Sequence, residues 1–150
     1  MAALAILLLG PAALAGEARP LSIGRSTEVE LAVAGRAVRA AATVSPVPAN
    51  DGQAGLLTGV AKTRIARLHL EVGGKAVAVP LSAVADLYDP HWIDLTAEQY
   101  GYRLRIEGSD GADGYAAEIF FDQKRVTRRR ILVAGDRTQE ETVYREVVVD

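Results

Sequence analysis

The chain has 150 residues, which is room for one ordinary domain, and its 17 Lys and Arg against 19 Asp and Glu give a formal net charge of −2. This near balance argues against a nucleic-acid-binding protein, because such a protein needs a large excess of positive charge to displace counterions. The absence of cysteine from the sequence excludes thiol catalysis, iron–sulfur clusters and cysteine-based zinc sites.

The first segment, MAALAILLLGPAALA at residues 1–15, contains no charged side chain and is predicted to be a signal peptide. Its apolar run from Ala2 to Leu9 is shorter than the ~20 residues that cross a bilayer, and the segment ends in the A-x-A cleavage pattern Ala13–Ala15. We therefore expect one mature domain at residues 16–150, periplasmic or secreted, with no membrane span after removal of the leader. The alternative is a buried N-terminal helix or strand.

Short stretches that alternate apolar and polar residues, separated by Gly, Pro, Asp and Asn, predict antiparallel strands after residue 15. The predicted strands are Thr27–Val33, Ala37–Val44, Ala66–Val72, Ala76–Val79, Trp92–Thr96, Tyr102–Glu107, Tyr115–Phe121, Arg125–Val133 and Glu141–Val149. The alanine-rich second stretch also fits a helix. Ala66, Leu68, Leu70 and Val72 are expected on one face of their strand, and Gly73-Gly74 predicts a tight hairpin turn.

One short helix is predicted at Ser82–Tyr88, where Ser82 can cap the first turn and Asp89-Pro90 ends the helix. About eight or nine strands would leave one face of a single flat sheet uncovered, because so short a helix cannot mask it. The sequence therefore predicts an all-β fold, an antiparallel β-sandwich, with a small β-barrel as the alternative.

No catalytic serine is expected. Ser109 stands in the stretch EGSDG, which lacks the first glycine of a nucleophile elbow and lies between strands, and the sequence offers only His69 and His91 as a base.

Acidic residues suggest two metal sites. Asp110 and Asp113 stand three residues apart in a Gly-rich loop, and two carboxylates at this spacing could bind calcium. The loop does not match an EF-hand, because Ala112 stands where an EF-hand has a ligand. A second combination is Asp86, Asp89, His91 and Asp94, which crowd one short segment. Aspartates are also common in tight loops and at helix ends, where their side chains accept hydrogen bonds from nearby backbone N–H groups. We therefore expect no metal and no cofactor.

The most unusual stretch is KRVTRRR at 124–130, with five basic residues in seven. Period two places Arg128 and Arg130 on one face and Arg129 on the other, so the strand must bulge, lie at an edge, or place an arginine over the rim of the core. Glu118 is expected to face Arg129 if the turn at 122–124 has a two-residue loop and Arg128 if it has three residues, in an ion pair that is weak if exposed. The stretch fits a solvated ladder that protects an edge strand, or a strip that recognises an anion or a partner.

Together these patterns favour a non-enzymatic binding or interaction module of the bacterial envelope, with a protein partner and no nucleic acid. Its expected binding residues are Asp110, Asp113, Tyr115, Arg128 and Arg130, and Arg103 and Arg105 extend the strip if their strand is adjacent. Two alternatives stay open: a metal-assisted hydrolase that uses the acidic loops, and a structural subunit of an envelope assembly.

Overall fold

The protein is a sandwich of two antiparallel sheets. A computed structural model describes residues 15–48, 61–109, 114–133 and 136–145. Its elements are β1 (Arg19–Pro20), β2 (Ser26–Val33), β3 (Arg36–Pro46), β4 (Thr63–Val72), β5 (Lys75–Ala76), a 3-10 turn (Leu81–Ala83), β6 (Pro90–Glu98), β7 (Gly101–Gly108), β8 (Tyr115–Phe121), β9 (Val126–Val133) and β10 (Arg137–Val143). The large sheet has the order β1-β6-β7-β8-β9-β10 and the small sheet β2-β3-β4-β5. The predicted all-β sandwich is confirmed, and the barrel alternative is wrong because the sheets do not close on each other.

Two-residue turns set the register of the small sheet. Gly73 and Gly74 have φ of 57° and 79°, the left-handed backbone of the predicted tight turn. Ala34 and Gly35 join β2 to β3 in the same way, with φ of 49° and 74°. Both turns match the right-handed twist of the strands that they join, so each strand pairs directly with the next.

The core lies between the sheets and is made of inward-facing, mostly aliphatic side chains. The largest fully buried ones include Leu70, Leu87, Ile93, Leu95, Leu104, Ile106, Ile119, Phe121 and Ile131. Most belong to the central strands of the large sheet, and this dense packing makes that sheet a rigid support for its outer face.

One bulge changes the inward face of β4. The register between β3 and β4 shifts between Thr43 and Val44, so that Ile65 is buried and Ala66 is exposed. The expected inward position of Ala66 is therefore wrong, because a bulge advances the alternation by one residue. Leu68, Leu70 and Val72 are buried as predicted.

The predicted helix at Ser82–Tyr88 is reduced to one 3-10 turn at Leu81–Ala83. Ser82 is not its cap: Pro80 holds that position and no side chain caps the turn. A helix of less than two turns depends on tertiary contacts, and here the Ser82 carbonyl accepts a hydrogen bond from Arg129 instead of an intrahelical donor. Within the described ranges, no helix has the length and apolar character that crossing a bilayer requires.

The final strand also differs from the prediction. Strand β10 covers Arg137–Val143 and begins before the predicted start at Glu141, because Arg137 already pairs with Val133 of β9. Its residues are almost all exposed, so it carries little of the alternation from which a strand is recognised.

Candidate functional site

The arginine run lies on a strand inside the large sheet. Strand β9 pairs with β8 on one side and β10 on the other, so the expectation that it protects an edge is wrong. A bulge falls where Phe120 faces Arg128 and Phe121 faces Val126, which leaves Thr127 as the extra residue. Arg128 and Arg130 then point outward while Arg129 is buried, with 4% exposure. Of the three arrangements expected for a strand with three consecutive arginines, two thus occur together: a bulge, and an arginine placed over the core.

The outward arginines of β9 join those of β7 across strand β8. The register places Arg105, Glu118 and Arg130 in one row across β7, β8 and β9. The next row consists of Arg103, Phe120 and Arg128. We call these six residues the arginine cluster. The strand of Arg103 and Arg105 does not adjoin β9 directly; β8 lies between and supplies a carboxylate and an aromatic ring.

Glu118 is the charged centre of the arginine cluster. It is only 2% exposed, although it lies on the outer face of the sheet. Its Oε1 accepts hydrogen bonds from Arg103 Nη1 at 3.2 Å and Arg105 Nη1 at 3.5 Å, and its Oε2 accepts from Arg130 Nε at 3.0 Å and from Arg130 Nη2. The expected partners of Glu118, Arg128 or Arg129, are therefore wrong, and because Glu118 is buried, the weak energy of an exposed pair does not apply. The bulge at Thr127 moves the register, and the converging side chains exclude water.

Further carboxylates surround two of these arginines. Glu98 lies 3.1 Å from Arg103 Nε, while Glu107 and Asp136 lie 3.0 and 3.2 Å from Arg105. The charges of Arg103 and Arg105 are thus compensated within the protein. Nearby on β6, burial raises the pKa of Asp94, against the opposing effect of the two arginines. The cluster is therefore compensated in charge, and it does not present an open polyanion site.

Arg128 differs from the other three arginines. Its guanidinium carbon lies 4.1 Å from the centre of the Phe120 ring, a cation–π geometry that fixes the side chain in place. Among the described residues its guanidinium takes part in no hydrogen bond, and the Glu141 carboxylate lies 3.7 Å from its Nη1. With a side chain 40% exposed, Arg128 presents hydrogen-bond donors to solvent in a fixed orientation.

A groove of about 460 Å³ adjoins Arg128 at the end of the sheet. It is lined by Glu98, Gln99, Tyr100, Tyr102, Phe120, Phe121, Thr127 and Arg128. We call it the Tyr100 groove, because Tyr100 stands in the β6–β7 turn with 89% of its surface exposed. The groove thus has aromatic walls on a rigid sheet and a fixed guanidinium at its edge.

Tyr115, a predicted binding residue, lies inside the protein. It is 4% exposed, and its hydroxyl donates a hydrogen bond of 2.8 Å to the Tyr88 carbonyl. Its ring covers Gly108 so closely that a Cβ there would come within 2.4 Å of ring atoms. Burial, together with the negative charges of Asp86 and Asp89, raises the pKa of the Tyr115 hydroxyl. The structure gives Tyr115 a packing role, and its part in binding stays a prediction.

Tyr115→Phe is expected to lower the free energy of unfolding by about 1 kcal/mol, because the Tyr88 carbonyl loses its buried donor while the ring stays in place. Urea unfolding followed by circular dichroism measures the change. Tyr100→Phe is the matched control, since that hydroxyl is exposed. Equal stabilities of the Tyr115 variant and the wild type would show that this hydrogen bond contributes nothing net.

The acidic candidates are not assembled into a metal site in the part of the chain that the structure describes. Asp86 pairs with Arg129 at 2.7 Å, and Asp89 Oδ1 accepts the backbone N–H groups of Lys62 and Thr63 at 2.8 and 2.9 Å. Over the described ranges, no three His, Asp or Glu side chains are grouped to hold a metal ion. Asp110 and Asp113 lie outside the described residues.

Sequence reasoning missed Glu118 as the centre of the site and Phe120 as the support of Arg128. A signal for Glu118 exists, since it is the only charged residue in the strand YAAEIFF. A lone carboxylate in an otherwise apolar strand needs paired cations on the neighbouring strands. No comparable signal marks Phe120, because its role depends on the bulge.

Comparisons of the chain with known protein families, with curated proteins and with solved structures gave no match.

Proposed function

We propose that this chain is a non-enzymatic interaction module of the bacterial envelope, exported to the periplasm or beyond. It recognises a protein partner with the outer face of the large sheet, at the Tyr100 groove and the adjoining part of the arginine cluster. The observation that carries the proposal is Arg128, whose guanidinium is held against Phe120 and has no hydrogen-bond acceptor among the described residues.

The contrast with its neighbours supports this assignment. Arg103, Arg105 and Arg130 all donate to Glu118, and their positions are explained by that buried carboxylate. Arg128 makes no hydrogen bond among the described residues, and its ion pair with Glu141, at 3.7 Å, leaves its donors free for an acceptor from solvent. Because the Phe120 ring already orders the side chain, a partner that binds Arg128 loses little conformational entropy.

The residue types of the Tyr100 groove support a protein partner. Tyrosine, phenylalanine and arginine are enriched at the energetic centres of protein interfaces, where rigid side chains bury large areas. Tyr100 is exposed, and Phe120 and Tyr102 are partly exposed beside it. Phe120 is held by a strand of the densely packed sheet, and Tyr100 stands in the β6–β7 turn at the end of that sheet.

The proposed location rests on the charge-free segment 1–15 and on its small-residue end. In the folded chain Gly16, the first residue after the predicted cleavage point, donates its N–H to the Leu95 carbonyl at 2.6 Å. A new amino terminus at Gly16 keeps this donor. Mass spectrometry of the protein from a periplasmic fraction is expected to give a chain that begins at Gly16, and an intact leader in a cytosolic fraction would contradict the location.

Site-specific photocrosslinking tests the interaction surface. With p-benzoylphenylalanine in place of Tyr100, irradiation of cells that express the protein is expected to give a discrete adduct with one envelope protein. The matched control carries the same photoreactive residue in place of Arg67, an exposed position on β4 of the small sheet. Adding Arg128→Gln to the position-100 chain is expected to reduce the adduct at least threefold. The same adduct pattern at both positions, or none at position 100, would contradict the proposal.

A further inference from the structure

The chemistry of the Tyr100 groove identifies what the partner presents. We infer that the groove binds an acidic side chain, Asp or Glu, that stands beside an aromatic residue in an extended segment of the partner. This inference deepens the proposed function and rests on it. The feature that defines it is the juxtaposition of the Arg128 guanidinium with the aromatic side chains of Tyr100 and Phe120.

Arg128 sets the preference for a carboxylate. A guanidinium presents parallel N–H donors that match the two oxygens of a carboxylate, and such charge-assisted pairs are stronger than neutral hydrogen bonds. The guanidinium carbon lies 4.1 Å from the centre of the Phe120 ring, and the side chain is 40% exposed, so an acceptor can reach its N–H donors from solvent. The partly exposed environment makes the contact worth a moderate gain in affinity.

The walls of the groove set the preference for an aromatic neighbour. Phe120 lies on the outer face of the sheet in the same row as Arg128, and the exposed Tyr100 ring lines the same groove from the β6–β7 turn. Offset or edge-to-face contacts with a partner ring suit this arrangement. Because Tyr100 is 89% exposed, the groove is open along the turn, which fits a segment that passes through and not a chain end held in a closed pocket.

Two protein carboxylates beside the groove bear on the inference in different ways. Glu98 lies 3.1 Å from Arg103, so its charge is already compensated. Glu141 of β10 lies 3.7 Å from Arg128 Nη1, too far for a hydrogen bond but close enough to repel an incoming carboxylate. Glu141 therefore weakens binding of a carboxylate, and removal of its charge is expected to increase the affinity.

The test is an NMR titration of the purified full chain with two peptides that differ only in charge. These are acetyl-Ala-Phe-Asp-Ala-amide and its Asn counterpart, and the signals followed are the Arg128 Nε–H and the Tyr100 backbone amide. The Asp peptide is expected to bind about fivefold to tenfold more tightly than the Asn peptide, the gain of one partly exposed charge-assisted pair. Equal affinities would overturn the inference.

Variants fix the location of the effect. Arg128→Gln is expected to abolish the preference for Asp, whereas Arg67→Gln, on the small sheet, leaves it unchanged. Glu141→Gln is expected to strengthen binding of the Asp peptide about twofold or more, because it removes a competing charge. A preference for Asp that survives in Arg128→Gln would overturn the inference.

A third peptide, acetyl-Ala-Phe with a free terminal carboxylate, tests whether the groove binds a chain end. Tighter binding of this probe than of the Asp peptide would assign the groove to a chain end and overturn the side-chain assignment. The result is separable from that of the photocrosslinking. An adduct at position 100 together with equal binding of the two peptides would support the interaction surface and contradict only the inferred preference for a carboxylate. Absence of both removes the proposed function as well.

Discussion

Replacing Glu118 with alanine is expected to lower the free energy of unfolding by about 3 kcal/mol, which corresponds to a fall in Tm of roughly 10 °C. Arg103, Arg105 and Arg130 all donate to the Glu118 carboxylate, which is 2% exposed. Removing it leaves three guanidinium groups close together without their common acceptor. Their repulsion and partial desolvation are then uncompensated.

Chemical denaturation measures this loss, and two variants control for it. Glu28→Ala removes an exposed glutamate of β2 and is expected to change stability by less than about 0.5 kcal/mol. Glu118→Gln keeps the shape and one acceptor oxygen, so it is expected to lose less than the alanine variant. Sulfate, compared with chloride at equal ionic strength, is expected to raise the Tm of Glu118→Ala more than that of the wild type, because it can bind between the freed arginines. A loss no larger than that of Glu28→Ala would show that the buried carboxylate is not needed.

Replacing Arg129 with methionine is expected to cost about 3 kcal/mol of folding free energy. Arg129 is 4% exposed and donates to the Ser82 carbonyl and to Asp86 Oδ2, each at 2.7 Å. These two bonds attach the segment after β5 to the large sheet. Loss of the guanidinium leaves the carbonyl and the carboxylate without their donor, and methionine fills only the volume.

The neighbouring residue provides a matched control. Arg128→Met is expected to cost less than about 1 kcal/mol, because the Arg128 side chain is 40% exposed and only its contact with Phe120 and its exposed ion pair with Glu141 are lost. Arg129→Met combined with Asp86→Ala is expected to recover part of the loss, because no unpaired carboxylate is left beside the apolar side chain. If Arg128→Met and Arg129→Met lowered the free energy of unfolding by similar amounts, this would contradict the conclusion that Arg129 is buried while Arg128 is on the surface.

The alternation of side chains along the strands predicted part of the arrangement of the arginines. It placed Arg128 and Arg130 on one face and Arg129 on the other, as the structure has them. It could not identify which residue opposes Glu118, because a bulge adds one residue and shifts all pairings beyond it. The error over Ala66 in β4 has the same cause.

The candidate site was predicted only in part. Arg128 lies in it, while Tyr115 lies in the core and Asp110 and Asp113 fall outside the described residues. Tyr115 followed a Gly-rich loop, and local sequence cannot tell whether a tyrosine at such a position turns toward solvent or toward the other sheet. Its burial depends on Gly108 of the neighbouring strand, which leaves room for the ring.

By itself, the sequence determined that this chain forms antiparallel strands with tight glycine turns, because period-two patterning and left-handed turns are local properties. Only the tertiary structure decided that Glu118 is enclosed by arginines from two other strands and that Phe120 carries the guanidinium of Arg128. The physical reason is that strand pairing joins residues that are distant in the sequence, and a single bulge changes which of them meet.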